Sequence, residues 1–251
     1  MQHVWVYWQN KPTSRATPDY IELCHQTMRR HADGVQLHVL NEDTIHDYLD
    51  DLEDDLDEIT VRHLGREFVS VSHKVDVLRA RLLQKYGGVY LDSDTIVLRP
   101  LSDLLDRTRG HDFTCTRIRS TGENTIPNGF LASAADGKVI NAYCARLEAR
   151  LEQGGVLSWC ALGSDILTPI VDTRPEFVSE IAEADIMPVS WMEKDRFAED
   201  IALEDIVTSK TYTTALYHGA FGRRIHEVPR QTLLDDQTLI GRLFRAALRE
   251  G

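Results

Sequence analysis

The sequence predicts an α/β protein built on a mixed, mostly parallel sheet. Three features predict it. Residues 3–8 (HVWVYW) are β-branched and aromatic, as strands are. Residues 3–40 then read as strand, helix, strand, the unit from which parallel sheets are built. Finally, a long amphipathic helix ends at Gly87-Gly88 and delivers the chain into an apolar strand at 89–91.

The elements follow in order. The first strand closes at Gln9-Asn10-Lys11-Pro12, a turn signal. A helix is expected over 18–30, with Pro18 in its first turn, Ile21, Cys24 and Met28 at helical spacing, and Gly34 beyond its end. Residues 35–40 alternate as a strand. Residues 41–57 open on an Asn cap and read as helices with a loop. The helix over 69–86 has the clearest apolar stripe: Val71, Val75, Leu78 and Leu82. Residues 95–98 extend after the 89–91 strand. Strands are expected at 111–116, in the second part of 126–133, at 185–189 and at 213–217. Helices are expected at 137–153, stopped by Gly154-Gly155, at 164–171, and at 238–249 with a basic face. With no repeat, low-complexity stretch or linker, residues 1–251 read as a single domain.

The chain has 251 residues, 42% of them apolar, and a formal net charge of −12. The acidity is concentrated between Glu42 and Glu58, where no Lys or Arg interrupts it, so the remainder is close to balanced. That run reads as a solvated acidic surface, and the overall sign argues against nucleic-acid binding. The four cysteines, Cys24, Cys115, Cys144 and Cys160, make no C-x-x-C pair and read as small buried hydrophobes of a reduced protein. No apolar run approaches the roughly 18 to 20 residues that span a bilayer. The first two residues lead straight into the aromatic strand, so no secretory leader is expected. A cytoplasmic protein is expected, touching a membrane peripherally at most.

The chemistry concentrates in residues 72–101. An apolar strand presents Asp92 and Asp94 at its carboxyl end, which is where open α/β sheets bind ligands. Two such carboxylates suit Mn²⁺ or Mg²⁺, cations commonly held by one or two carboxylates and by substrate phosphates. One segment earlier, Asp76 and Arg79 lie three apart on one helix face, either as a surface ion pair or as part of the same site.

The run from Ser72 to Arg79, followed by Leu83-Gln84-Lys85-Tyr86-Gly87-Gly88-Val89-Tyr90-Leu91-Asp92-Ser93-Asp94, resembles the core of sugar transferases that carry a D-x-D motif. These are the family 32 glycosyltransferases and the capsular polysaccharide synthesis proteins and, more distantly, the clostridial glucosylating toxins. The opening VWVYWQN resembles the capsular group. The resemblance is good over residues 4–101 and looser beyond. It implies a GT-A fold and a metal-dependent glycosyltransferase that takes its sugar from a nucleotide-sugar donor, a UDP-sugar first, and passes it to a saccharide or other hydroxyl acceptor with retention. It further implies that Asp92 and Asp94 engage the metal, diphosphate and ribose, and that Asp76 and Arg79 contact the donor sugar. Trp8 would stack on the base, its alternative being a core aromatic. Asn128 and Gly129 resemble a segment lining the sugar pocket. Gly163 and Asp165 resemble a later helix opening, although Ser164 stands where that group has proline. His218 stands where the family completes its metal shell, but Gly219-Ala220-Phe221-Gly222 replaces the usual Ser-Trp pair, so a structural histidine is the alternative. Arg223 and Arg224 read as phosphate partners or as exposed charges.

Two other functions fit parts of the pattern. Haloacid-dehalogenase-like phosphatases also use D-x-D with Mg²⁺. They place it on the chain's first strand, however, and favour Thr or Val two residues after the second Asp, where this chain has Ile96. A non-catalytic nucleotide-sugar-binding protein is the other alternative, in tension with the intact set of Asp76, Arg79, Asp92 and Asp94.

Overall fold

The computed structural model describes residues 3–10, 16–50, 52, 54–218 and 223–249. The chain begins with β1 (His3–Tyr7), α1 (Asp19–Arg30) and β2 (Gln36–Leu40). The expected acidic helices are instead two short 3-10 turns, Ile45–Asp47 and Asp54–Glu58. Asn41 closes the turn before the first of them rather than capping a helix: its Oδ1 accepts from the backbone N–H groups of Asp43 and Thr44, both at 3.0 Å. Repulsion between closely spaced carboxylates leaves little to sustain longer helices here. A hairpin follows, β3 (Thr60–His63) and β4 (Arg66–Val69), turning through Leu64 and Gly65 at positive φ. Its strand residues are mostly exposed, so hydrophobic alternation gave no sign of it, and the helix expected from residue 69 starts two residues later as α2 (Val71–Tyr86).

The chain continues through β5 (Gly88–Leu91), β6 (Thr95–Val97), α3 (Leu101–Thr108), β7 (Phe113–Thr116), β8 (Phe130–Ser133), α4 (Lys138–Glu152), β9 (Leu157–Ser158) and α5 (Ser164–Asp172). It ends with β10 (Val178–Ile181), α6 (Glu183–Ile186), β11 (Thr213–Ala215), α7 (Arg223–His226), α8 (Arg230–Asp235) and α9 (Leu239–Leu248). The strand expected at 185–189 is a correction. Residues 183–186 form the short α6, and Asp185 N–H bonds to Ala182 O at 2.9 Å. Ile186 and Met187 are buried without any strand partner, because burial alone does not separate a strand from a packed turn.

The central sheet has the order β10-β7-β8-β5-β1-β2. β1 runs parallel to both β2 and β5, and β10 is parallel to β7; β8 is antiparallel to its neighbours β5 and β7. Strand alternation divides the core between the two faces. Trp5, Tyr7, Tyr90, Leu131 and Cys115 pack on one face with α2 and α4. Val4, Val6, Val89, Leu91 and Phe130 pack on the other with Met28 of α1 and Leu101, Leu104 and Leu105 of α3. Strands buried on both faces read as apolar runs, which is why β1 and β5 were legible. A further cluster joins the outer side of α1 to β6, α8 and α9 through Ile21, Cys24, Ile96, Leu243 and Phe244.

The Gly87-Gly88 junction is forced by close approach. Both residues have positive φ; a Cβ on Gly87 would meet Ala135 N at 2.6 Å, and one on Gly88 would meet His3 O at 2.3 Å. Trp5 Nε1 donates to Gly87 O at 2.8 Å, tying β1 to the end of α2. The junction thus delivers β5 between β1 and β8 and carries Asp92 to the carboxyl edge of the sheet. Among the described residues no helix is long and apolar enough to cross a membrane.

Candidate active site

Two groups of side chains meet at that edge, joined by Asp92-Ser93-Asp94. The first is built around Arg79, which is buried in α2. Its guanidinium reaches Asp76 Oδ1 at 3.3 Å and Asp92 Oδ1 at 3.1 Å, donates to Asn128 O, and lies 4.7 Å over the Tyr90 ring. The pair is therefore an interior one, and the surface alternative is set aside. Burial opposes the Arg79 charge, but the carboxylates of Asp92 and Asp76 outweigh it and hold the group firmly protonated. Asp76 accepts a hydrogen bond from Asn128 Nδ2 at 2.7 Å. Burial pushes the Asp76 carboxyl up to about 7, against the pull of Arg79.

Gly129 and Gly163 make this group possible. Gly129 O accepts the Asp92 N–H at 2.9 Å, and a Cβ on Gly129 would stand 2.7 Å from Asp92 Oδ2. A Cβ on Gly163, the residue that opens α5, would stand 2.9 Å from Asn128 Nδ2. Asn128 and Gly129 therefore sit against the carboxylates of Asp76 and Asp92, and Gly163 backs Asn128. Asp165, in the first turn of α5, is exposed and accepts a long 3.5 Å bond from Ser158 Oγ.

The second group surrounds Asp94, which is buried while Asp92 keeps 37% of its side chain exposed. β11 pairs with β6, and Leu216 N–H bonds to Asp94 O at 3.0 Å, so the segment after β11 passes directly by Asp94. His218 N–H donates to Asp94 Oδ2, and its ring Nδ1 meets Tyr20 Oη. Trp8 stands edge-on to His218 at 5.2 Å; its Nε1 donates to Asn10 Oδ1 at 2.8 Å, and its ring is half-buried. Residues 219–222 and the side chains of Arg223 and Arg224 lie outside the described part of the structure.

Sequence reasoning missed Tyr20 and His25, both on α1. His25 Nε2 meets Ser93 Oγ at 2.5 Å, and burial pushes its pKa down to about 4, so the neutral ring grips the middle of the Asp92-Ser93-Asp94 turn. No local signal announces them, because their partners lie 68 and 198 residues away. Cys160 is a further correction: it is exposed in the turn between β9 and α5, unlike Cys24, Cys115 and Cys144.

The carboxylates fit a divalent cation. Burial and the neighbouring Asp92 charge raise the pKa of Asp94, the electrostatic condition that a cation relieves. Asp92 remains open to ligands. Among the described residues no three His, Cys, Asp or Glu side chains form a ready cage. Asp92 and Asp94 would therefore hold the ion with substrate phosphate and water, as Mg²⁺ is commonly held. A groove of about 760 Å³ between α2 and α4 includes none of these residues.

A family model for capsular polysaccharide synthesis proteins matches residues 1–147, a stretch that takes in Asp76, Arg79, Asp92, Asp94, Asn128 and Gly129. The chain belongs to the capsular polysaccharide synthesis protein family. No curated protein matches it in sequence. Among solved structures it is similar to the apo glycosyltransferase GlyE of Streptococcus pneumoniae TIGR4, at 14% identity and a TM-score of 0.51 over 99% of this chain. This capsular family member spans only 60% of that GlyE chain. It is also similar to mouse xyloside xylosyltransferase 1, at 10% identity and a TM-score of 0.51, covering 91% of this chain and 99% of that one. A third likeness is to the bifunctional glycosyltransferase WbbM, at 13% identity and a TM-score of 0.50, covering 98% of this chain and 49% of that one. The fold of the capsular family member is thus the GT-A type expected from the sequence.

Proposed function

We propose that the protein is a single-domain glycosyltransferase that takes a sugar from a nucleotide-sugar donor, a UDP-sugar first, and passes it with retention to a saccharide hydroxyl. The observation that carries this reading is the buried unit of Asp76, Arg79, Asp92 and Asn128, held at the carboxyl end of β5 beside Asp94. Family membership and the GT-A fold support it.

In this reading Arg79 fixes Asp92 and supplies fixed positive charge where negative charge grows on the departing group. Asp76 and Asn128 hydrogen-bond sugar hydroxyls, and Asp165 reaches the sugar from the open side. Gly129 keeps the wall thin enough for the Asp92 carboxylate to stand in place. Trp8 offers its indole face to the base. His218, tied to Asp94 and Tyr20, either joins the metal shell or holds Asp94 in position. Mn²⁺ or Mg²⁺ bound at Asp92 and Asp94 would neutralise the diphosphate. Retention rests on the resemblance to family 32, and the acceptor hydroxyl would attack from the face that the diphosphate leaves. The proposed setting is the cytoplasm, with peripheral membrane contact at most.

The test is donor hydrolysis by the pure protein. UDP- and GDP-sugars are incubated with and without Mn²⁺, and released nucleoside diphosphate is measured. Release from one donor that requires Mn²⁺ and disappears in Asp94→Ala supports the proposal and names the sugar. If there is neither release nor calorimetric binding of UDP with Mn²⁺ to the folded protein, the assignment fails.

A further inference from the structure

Beyond the donor side, the surface next to Asp165 carries an exposed tryptophan. Trp159 is 43% exposed. It is held from below by histidines: its ring lies 4.9 Å from His63 of the β3 hairpin and 5.9 Å, edge-on, from His73 of α2. His73 is itself fixed by Ser70 Oγ at 2.9 Å and Ser158 O at 3.1 Å. Asp76 follows His73 by three residues on the same helix, about one turn along it. The indole is therefore packed against a histidine that precedes, by one helical turn, the carboxylate proposed to hold the donor sugar.

A carboxylate lies on the same surface. Asp165 is bonded to Ser158, the residue before Trp159. The surface thus combines an open, pre-oriented aromatic face with a carboxylate able to accept hydroxyl hydrogen bonds. A pyranose ring has the complementary chemistry: a C–H face that packs on an indole and a rim of hydroxyl donors.

We infer that Trp159, with Asp165 beside it, is the acceptor subsite, and that it takes a neutral pyranose stacked on the indole with its hydroxyls turned to the carboxylate. This rests on the glycosyltransferase reading for its role, but not for the binding itself. Neutral sugar is favoured over an acidic one because the polar partner is a carboxylate. A membrane surface is disfavoured. Leu64, at 88% exposure, and Phe68 lie on the same hairpin, but the acidic run from Glu42 to Glu58 leads directly into β3 and would repel anionic lipid.

The experiment is saturation-transfer NMR on the full chain, using methyl glycopyranosides of glucose, galactose, mannose and N-acetylglucosamine. Transfer to the ring C–H protons of at least one glycoside is expected. Affinity should fall about tenfold in Trp159→Ala, remain within about threefold in Trp159→Phe, and stay unchanged in Trp8→Ala. In parallel, calorimetry with UDP and Mn²⁺ should give the same affinity for Trp159→Ala as for wild type. Absence of transfer from all four glycosides, or equal transfer in Trp159→Ala, overturns the assignment. Binding to vesicles of phosphatidylcholine and phosphatidylglycerol that is lost in Trp159→Ala, without glycoside transfer, also overturns it, in favour of a membrane face. If wild-type protein binds glycoside but not UDP, the subsite stands and the donor reading falls.

Discussion

Gly129→Ala isolates the geometry of Asp92 from every other property of the site. The added methyl would stand 2.7 Å from Asp92 Oδ2 and 3.4 Å from its Cγ, closer than a Cβ approaches an oxygen in real structures. The carboxylate cannot simply swing away. Its other oxygen is 3.1 Å from Arg79, and its backbone N–H is bonded to Gly129 O at 2.9 Å. It must shift by several tenths of an ångström or leave Arg79. Gly129 does not have positive φ, so alanine adds no backbone strain, and its loss of unfolded-state freedom is worth about 0.4–1 kcal/mol of stabilisation. A displaced rotamer costs about 0.5–1.5 kcal/mol, so the two nearly cancel. The thermal midpoint should therefore stay within about 4 °C of wild type. Activity should not stay level: a misplacement of about 1 Å costs about 100-fold, so kcat/KM for donor hydrolysis should fall roughly 10- to 100-fold. A variant with wild-type kcat/KM would refute the idea that the position of Asp92 matters to turnover. A variant that lost activity by unfolding would refute the separation of site geometry from stability.

Further outcomes follow from the same contacts. Arg79→Met removes the partner of two carboxylates, and urea unfolding should show a loss of about 3 kcal/mol or more; adding Asp76→Asn should recover part of it. His25 is neutral in the fold down to about pH 4, whereas an unfolded His gains its proton near 6.5, so the unfolded state binds more protons between those values. The stability contributed by His25 is fully present above pH 6.5 and is lost as pH falls towards 4, by about 3 kcal/mol. The stability difference between wild type and His25→Gln, measured by denaturant unfolding across that range, should shrink accordingly; a constant difference would contradict the buried neutral ring. Thiol titration should find one accessible cysteine in the native protein and four after denaturation, with Cys160 the native one. UDP-sugar with Mn²⁺ should slow its labelling.

Sequence was informative where its signals were local. β1 and β5 are apolar because both faces of the sheet are covered, and α2 carries its stripe within one helix, so these elements could be read directly. The glycine pair at 87–88 marks a true chain reversal into β5. Where burial did not set a period, the reading failed. The β3–β4 hairpin is largely exposed, α6 lies in a buried turn that looks like a strand, and the acidic run cannot sustain a helix.

The sequence by itself determined the class of fold and the chemical types at the site: carboxylates one residue apart after an apolar strand, and an acid–base pair one helical turn apart before it. Those depend on neighbours in the chain and on the periods of helix and strand. Only the tertiary structure decided what those groups are. Arg79 is an interior hub because β8 brings Asn128 onto it. Asp94 is buried because β11 carries His218 past it. His25 grips Ser93 because α1 packs across β6. Such contacts span 49 to 124 residues of chain, and they exist only once the burial of apolar surface has pressed the layers together.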